Sequence, residues 1–257
     1  MRRMDVRRGL GRVWDAVQNL VWPKGSLCLV CGDPRRASTE SGLCPACEDA
    51  LMAERVPASA CHRCLSNTYH SRDCPFCAAG GMNGIDQAFA PFRYRPYSRQ
   101  LVISVKFRAN DEAVPFLAKH MAQSLWDRDF DCMIPVPLHK RRQRERGVNQ
   151  AAVLARAVSG LTGIPCREGL LTRFRETRPQ AGLDRQKRAG NVRGAFTALQ
   201  SGALKGKRVL IVDDVRTTGA TARACAKALR DAGCEKVCLL TACCTSGSRG
   251  RRSRQSK

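Results

Sequence analysis

Residues 208–229, RVLIVDDVRTTGATARACAKAL, constrain the fold more than any other stretch of the chain. They read as an apolar strand, two adjacent acids, a loop of small residues and a helix. A second apolar run, VCLLTACC at 237–244, follows after a turn, and Gly233 sits where a helix end wants a left-handed residue. A strand, a helix and a second buried strand form a β-α-β unit, which requires parallel strands and a crossover. Strand 208–215 therefore ends at the carboxyl edge of a parallel sheet, where α/β proteins bind ligands. Two neighbouring carboxylates at that edge repel each other. They are useful only against a polyhydroxylated or metal-bound group.

The loop supplies the rest of that group's shape. Thr217, Thr218, Gly219, Ala220 and Thr221 offer backbone N–H groups, hydroxyls and a positive helix N-terminus, which together make a phosphate cradle. Gly219 lets the backbone come close. Asp213 and Asp214 suit two vicinal hydroxyls, or a magnesium ion shared with the ligand. A molecule with a cis diol and a phosphate one sugar away is a phosphorylated ribose. An ordinary β-α turn accounts for one acid but not for two followed by three threonines.

The remaining chain alternates in the same way. Residues 85–93 predict a strand, and 98–107 (RQLVISVKF within its flanks) fit a strand or a helix. Residues 113–126 place Val114, Leu117, Ala118, Met121 and Leu125 on one helical face. DCMIPVP reads as a short buried strand. Residues 149–161 are helical again, with Leu154, Ala157, Val158 and Leu161 aligned. The fold class is α/β, a parallel sheet flanked by helices.

Ahead of this lies a cysteine block. CLVCGDPRRASTESGLCPAC sets Cys28, Cys31, Cys44 and Cys47 as two C-x2-C pairs twelve residues apart. CHRCLSNTYHSRDCPFC repeats the scheme with Cys61, Cys64, Cys74 and Cys77, nine residues apart. Each pair makes a knuckle that aims two thiolates at one point, and two knuckles close a tetrahedral shell. Four thiolates select zinc or an iron–sulfur cluster over harder cations. A full shell leaves no open position for substrate, so such a metal is structural. Gly32, Pro45 and Pro75 fit knuckle turns. His62 and His70 read as bystanders beside complete cysteine sets. Spacing alone also permits pairing across the two sets.

The motifs carry a family resemblance. VLIVDDVRTTGAT resembles the 5-phosphoribosyl-1-pyrophosphate (PRPP) loop of type I phosphoribosyltransferases. With the cysteine block, IPVPLHKRRQRERGVNQA and RETRPQAGLDRQKRAGNVRGAF, the chain resembles the ComF (competence protein F) family from about 25 to 245. The resemblance implies a type I phosphoribosyltransferase-like domain behind a small double zinc-ribbon domain. It also implies that Asp213 and Asp214 contact ribose hydroxyls, while residues 217–221 hold the 5′-phosphate. In natural transformation, the import of single-stranded DNA, it implies a cytoplasmic role. Arg216 and Val148 stand where the family commonly has apolar or aromatic residues. Thr217 stands where hypoxanthine and guanine transferases carry an acid, which implies no activity on those purines.

Domain boundaries follow: an amphipathic helical lead over 1–24 (Leu10, Val13, Trp14, Val17 and Val21 on one face), a double zinc ribbon over 25–80, the transferase-like domain over 81–245, and a disordered basic tail over 246–257. The lead helix suits docking on the protein or on an anionic membrane. It has no continuous apolar core or cleavage site, so it does not read as a signal peptide. No apolar run spans a bilayer.

Charge completes the reading. The chain has 45 Lys and Arg against 22 Asp and Glu, a net charge of +23, which favours an anionic partner. Aromatic residues are 5%, so a base-stacking platform is not evident. LHKRRQRERG carries five basic residues in ten, and Arg142 and Arg146, at i and i+4, fit a pyrophosphate clamp. A solvated basic helix end fits that stretch too. The Arg-rich segment with Thr177, Gln180 and Arg185 resembles the hood over the site in such transferases, or is a plain solvated loop. Two functions remain open. One is a binding protein for PRPP or another phosphorylated ribose, or for single-stranded DNA, working with a competence helicase. The other is a phosphoribosyltransferase acting on an unidentified acceptor with magnesium and PRPP.

Overall fold

The structure, a computed structural model, describes residues 27–34, 41–67, 74–107, 113–127, 129–174 and 194–246. The expected lead helix, His70, the segment with Thr177, Gln180 and Arg185, and the tail past residue 246 lie outside the described residues.

The elements run α1 (Pro45–Met52), α2 (Pro75–Ala78), β1 (Gln87–Phe89), β2 (Phe92–Arg93), α3 (Pro96–Phe107), α4 (Ala113–Ser124), β3 (Cys132–Pro135), α5 (Lys140–Arg146), α6 (Gln150–Thr162), β4 (Leu171–Arg173), β5 (Phe196–Ala198), α7 (Ser201–Leu204), β6 (Arg208–Arg216), α8 (Ala220–Asp231) and β7 (Lys236–Cys244). The main sheet is parallel, in the order β1-β7-β6-β3, and β2 also pairs with β7. Phe89 pairs with Leu240 and Phe92 with Cys243, so the register is unbroken across Ala90 and Pro91. The expected strand over 85–93 is one strand interrupted at a proline, which has no N–H to give the ladder. The ambiguous 98–107 stretch is helix.

β6 and β7 are buried along most of their length, as a sheet covered on both faces demands, and successive side chains alternate between two cores. Leu210, Val212, Cys238 and Leu240 face a core built with α3, α4 and α6. Val209, Ile211, Val237 and Leu239 face a second core built with α8, Leu171 and Phe196. On α8 the buried side chains are mostly small (Ala220, Ala222, Cys225 and Ala226), so the helix lies close on the sheet. Truncating a fully buried leucine here, such as Leu240, costs about 2–5 kcal/mol. Leu161 is the exception to the predicted faces: it is 56% exposed in the last turn of α6, beyond the reach of the sheet.

The cysteine block wraps the β1/β2 edge. Cys28, Leu29, Leu43, Cys44, Cys47 and Leu51 join the α3/α4/α6 core. Cys61, Cys64, Cys74, Phe76, Met82 and Ile85 join the α8 core. Between the two, Arg55 bridges antiparallel to Phe92, Val56 N–H donates to the Pro91 carbonyl (3.0 Å), and Arg93 N–H donates to that of Glu54 (2.7 Å). An edge strand that would otherwise template aggregation is thereby covered. Among the described residues no helix is long and apolar enough to cross a membrane.

Candidate functional site

Strand β6 carries Asp213 and Asp214 to the carboxyl edge of the sheet, and both are half-buried. Successive strand residues face opposite sides. Asp213 lies on the α8 side, where it lines a small cavity with Thr217, Gly219, Ala220, Thr221 and Thr241. Asp214 follows the parity of Val212, and its charge helps to raise the Cys243 thiol on the other face, after burial as the main cause. The two acids are coupled through the backbone: Asp214 N–H donates to Asp213 Oδ1 at 2.9 Å.

The loop turns sharply into α8. Gly219 has φ 73°, a left-handed conformation that an L side chain resists. The Thr218 hydroxyl oxygen accepts from Ala220 N–H (3.4 Å), and Arg223 Nη1 donates to the Thr218 carbonyl (2.9 Å). The Thr245 hydroxyl donates to the Thr217 carbonyl at 3.0 Å. The loop carbonyls at Thr217 and Thr218 are thus engaged by the protein. The first-turn N–H groups of a twelve-residue helix supply the positive end of its dipole beside the cavity.

The second cysteine group braces this loop. Arg223 Nη1 also donates to the Gly81 carbonyl at 3.0 Å, and Arg216 Nη2 donates to that of Cys64 at 2.7 Å. Arg216 is buried, with its guanidinium 5.8 Å from the Phe76 ring centroid, and its Nε and Nη1 have no hydrogen-bond partner.

The basic clamp is reached from β3. His139 caps α5 by accepting from Arg141 N–H, and Arg141 Nε donates to Glu145 at 2.9 Å in an exposed pair. Arg142 acts inward: burial chiefly, then the positive charge of Arg142, lower the pKa of buried Arg173, and Asp213 opposes the shift. Arg142, Arg173 and Asp213 therefore share one electrostatic neighbourhood. Arg146 closes α5, and its side chain lies outside the described residues. Arg173, on β4 and 5.4 Å from the Phe196 ring centroid, escapes sequence reading because nothing local distinguishes it from its basic neighbours.

The cysteines segregate as Cys28, Cys31, Cys44, Cys47 and as Cys61, Cys64, Cys74, Cys77, with all sulfurs of a group within 4.8 Å. This settles the pairing that spacing left open. Gly32 N–H donates to the Cys28 carbonyl (2.8 Å) and Leu65 N–H to that of Cys61 (2.7 Å), so the upstream knuckles have the same turn. Both turns need positive φ, 72° at Gly32 and 59° at Leu65. Each downstream pair opens a proline-led helix, α1 or α2.

A tetrahedral ion with metal–sulfur bonds of about 2.3 Å has edges of about 3.8 Å. The separations fit: 3.9 Å for Cys31–Cys44, 3.9 Å for Cys61–Cys77 and 3.4 Å for Cys64–Cys74. Sulfurs this close suit one ion, since a polynuclear core would hold them further apart. Burial opposes ionisation of Cys28, yet N–H donors from Cys31, Cys44 and Val30 bring its pKa down to about 6. Burial, then the neighbouring thiols, pushes Cys47 far up, so a cation is what lets all four ionise. His62 is exposed and outside both groups.

The family of phosphoribosyl transferase domains matches residues 116–257. The chain is 38% identical over 108 residues to Competence protein F of Haemophilus influenzae, covering 42% of this chain and 47% of that one, about half the relative's length. It is 30% identical over 234 residues to DNA utilization protein YhgH of Salmonella typhimurium, covering 85% of this chain and 97% of the relative. Competence protein ComFC of Streptococcus pneumoniae is 27% identical over 223 residues, or 82% and 96% of the two chains. Similarity over 85% of the chain, the transferase-domain match and the two four-cysteine groups make this chain a member of the ComF (competence protein F) family.

Proposed function

We propose that the protein binds a phosphorylated ribose, PRPP with magnesium, at the carboxyl edge of its sheet, and that it acts in handling imported single-stranded DNA. One observation carries the ligand: Asp213, Thr217, Gly219, Ala220 and Thr221 line a single cavity at the α8 N-terminus. Thr217, Thr218, Gly219, Ala220 and Thr221 hold the 5′-phosphate. Asp213 and Asp214 hold the ribose hydroxyls or the magnesium ion. Arg142 and Arg146 meet the pyrophosphate, joined by Arg173. The DNA role is supported by the competence and DNA utilization relatives and by the basic charge. Both four-cysteine groups hold structural zinc, with no open coordination position. The helicase partner and the cytoplasmic location belong to the same reading.

Calorimetry with magnesium and PRPP tests it. Wild type binds, and the Asp213→Asn/Asp214→Asn variant loses binding; equal affinity in the two proteins refutes the site. Transfer is the second reading, favoured by the shared neighbourhood of Arg142, Arg173 and Asp213. Those cations stabilise pyrophosphate as its bond to the ribose C1 breaks and an acceptor nucleophile takes its place. Release of pyrophosphate across an acceptor panel separates an enzyme from a binding protein.

A further inference from the structure

A cleft of about 340 Å³ lies at the sheet edge where the cysteine block meets β2, one strand away from the loop. Arg55, Arg93, Arg95, Ser59 and Asn67 line it, and none of its lining residues is acidic. Arg55 and Arg95 stand exposed at the rim. Arg93 forms the inner wall at 4% exposure. Its Nη1 donates to the Leu65 carbonyl and, at 3.5 Å, to Cys244 Sγ, but its Nη2 is buried with no acceptor. Among the described residues no carboxylate pairs with Arg93.

Arg93 N–H donates to the Glu54 main-chain carbonyl, not to its carboxylate. Glu54 accepts from Tyr97 N–H (3.1 Å) and Ser98 N–H (2.8 Å), so both of its carboxylate oxygens serve the start of α3. A buried guanidinium without a carboxylate partner is costly, and an anion in the cleft that Arg93 lines offsets that charge. Three arginines in one lining, with a hydroxyl and an amide, match the many-donor recognition of a phosphoryl group, although Arg55 also contacts Met52 Sδ and His120 Nδ1, each at 3.2 Å.

We propose that this cleft is a second phosphoryl-binding site, separate from the loop at 217–221 and independent of the PRPP reading. The phosphoryl group belongs either to a free phosphate or to the phosphodiester backbone of single-stranded nucleic acid.

The test uses the full-length, metal-loaded protein with two probes. Inorganic phosphate is followed by calorimetry, and a fluorescent oligothymidylate without terminal phosphate by anisotropy over a range of salt. Wild type is compared with Arg55→Gln/Arg95→Gln, whose side chains are exposed at the rim, and with Arg93→Gln where that variant folds. Neither rim residue belongs to the loop; because Arg55 also lies 3.2 Å from His120 Nδ1, the single variant Arg95→Gln and melting curves separate loss of the cleft from loss of that contact. The double variant weakens binding by roughly tenfold or more, since charge-assisted hydrogen bonds of this kind are strong. Loss of the oligonucleotide alone, with its salt slope reduced by about 1.4 for two lost contacts, assigns a phosphodiester. Loss of phosphate alone assigns a free phosphate, and loss of both assigns recognition of the phosphoryl group itself. Unchanged affinity for both probes overturns the site.

Discussion

Arg216 Nη2 donates to the carbonyl of Cys64 at 2.7 Å, which ties the strand of the acid pair to a thiol knuckle 152 residues away. Arg93 does the same one residue on, at Leu65, from the neighbouring edge strand. The second cysteine group therefore braces a lining residue of the site from behind, although it belongs to a different stretch of sequence.

Arg216→Ala leaves a cavity and an unpaired Cys64 carbonyl, and it lowers stability by roughly 2–4 kcal/mol. Arg216→Met keeps the volume and removes a buried charge with two unpartnered nitrogens, so it recovers most of that loss. Urea unfolding midpoints of the two variants check the order; equal losses would show that the charge itself is what matters.

The two cysteine groups differ in their reach. Cys77→Ser lowers both the thermal midpoint and the affinity for PRPP, because its group supplies the Cys64 carbonyl that holds Arg216 and stands near the Gly81 carbonyl that holds Arg223. Cys31→Ser lowers the midpoint alone, since its group packs in the core on the opposite face of the sheet. Melting curves and PRPP titrations on both variants, with bound zinc measured, separate these outcomes.

At Gly81 there is no room for a side chain. A Cβ there would lie 2.4 Å from the Phe76 ring and 2.5 Å from the Phe76 carbonyl. Gly81→Ala therefore shifts backbone at the second knuckle, costs about 1–3 kcal/mol, and moves the acceptor of Arg223. Chemical denaturation gives the first effect, and a weakened PRPP titration the second.

His120 adds a pH dependence. Burial, then the charges of Arg55 and Lys119, hold its pKa below the usual 6.5. The folded protein thus resists a proton that the unfolded chain accepts, so this contribution is fully present above 6.5 and is lost as pH falls through the depressed folded value. His120→Phe keeps ring contacts with Phe92 (5.2 Å) and Phe116 (4.5 Å) and flattens the acid side of the stability curve. Unfolding at about pH 7.5 and about pH 5.5 reads this as a smaller difference in the variant than in wild type. An identical difference in both proteins would assign the acid sensitivity elsewhere.

What the sequence determined by itself was local chemistry. Two thiols three residues apart share a turn whatever surrounds them, so the four knuckles are legible in CxxC. An apolar strand, two acids and a small-residue loop entering a helix are likewise set by neighbours along the chain, and Asp213, Thr217, Gly219, Ala220 and Thr221 line one cavity, without Asp214 or Thr218. Tertiary structure alone decided which knuckles share a group, that those groups grip opposite faces of one sheet edge, and that Arg93, Arg173 and Arg216 are buried. An arginine on a strand end looks the same in sequence whether water or a distant segment covers it. Its burial, its partners and its electrostatic role depend on contacts with segments from 23 to 152 residues away, which no local pattern encodes.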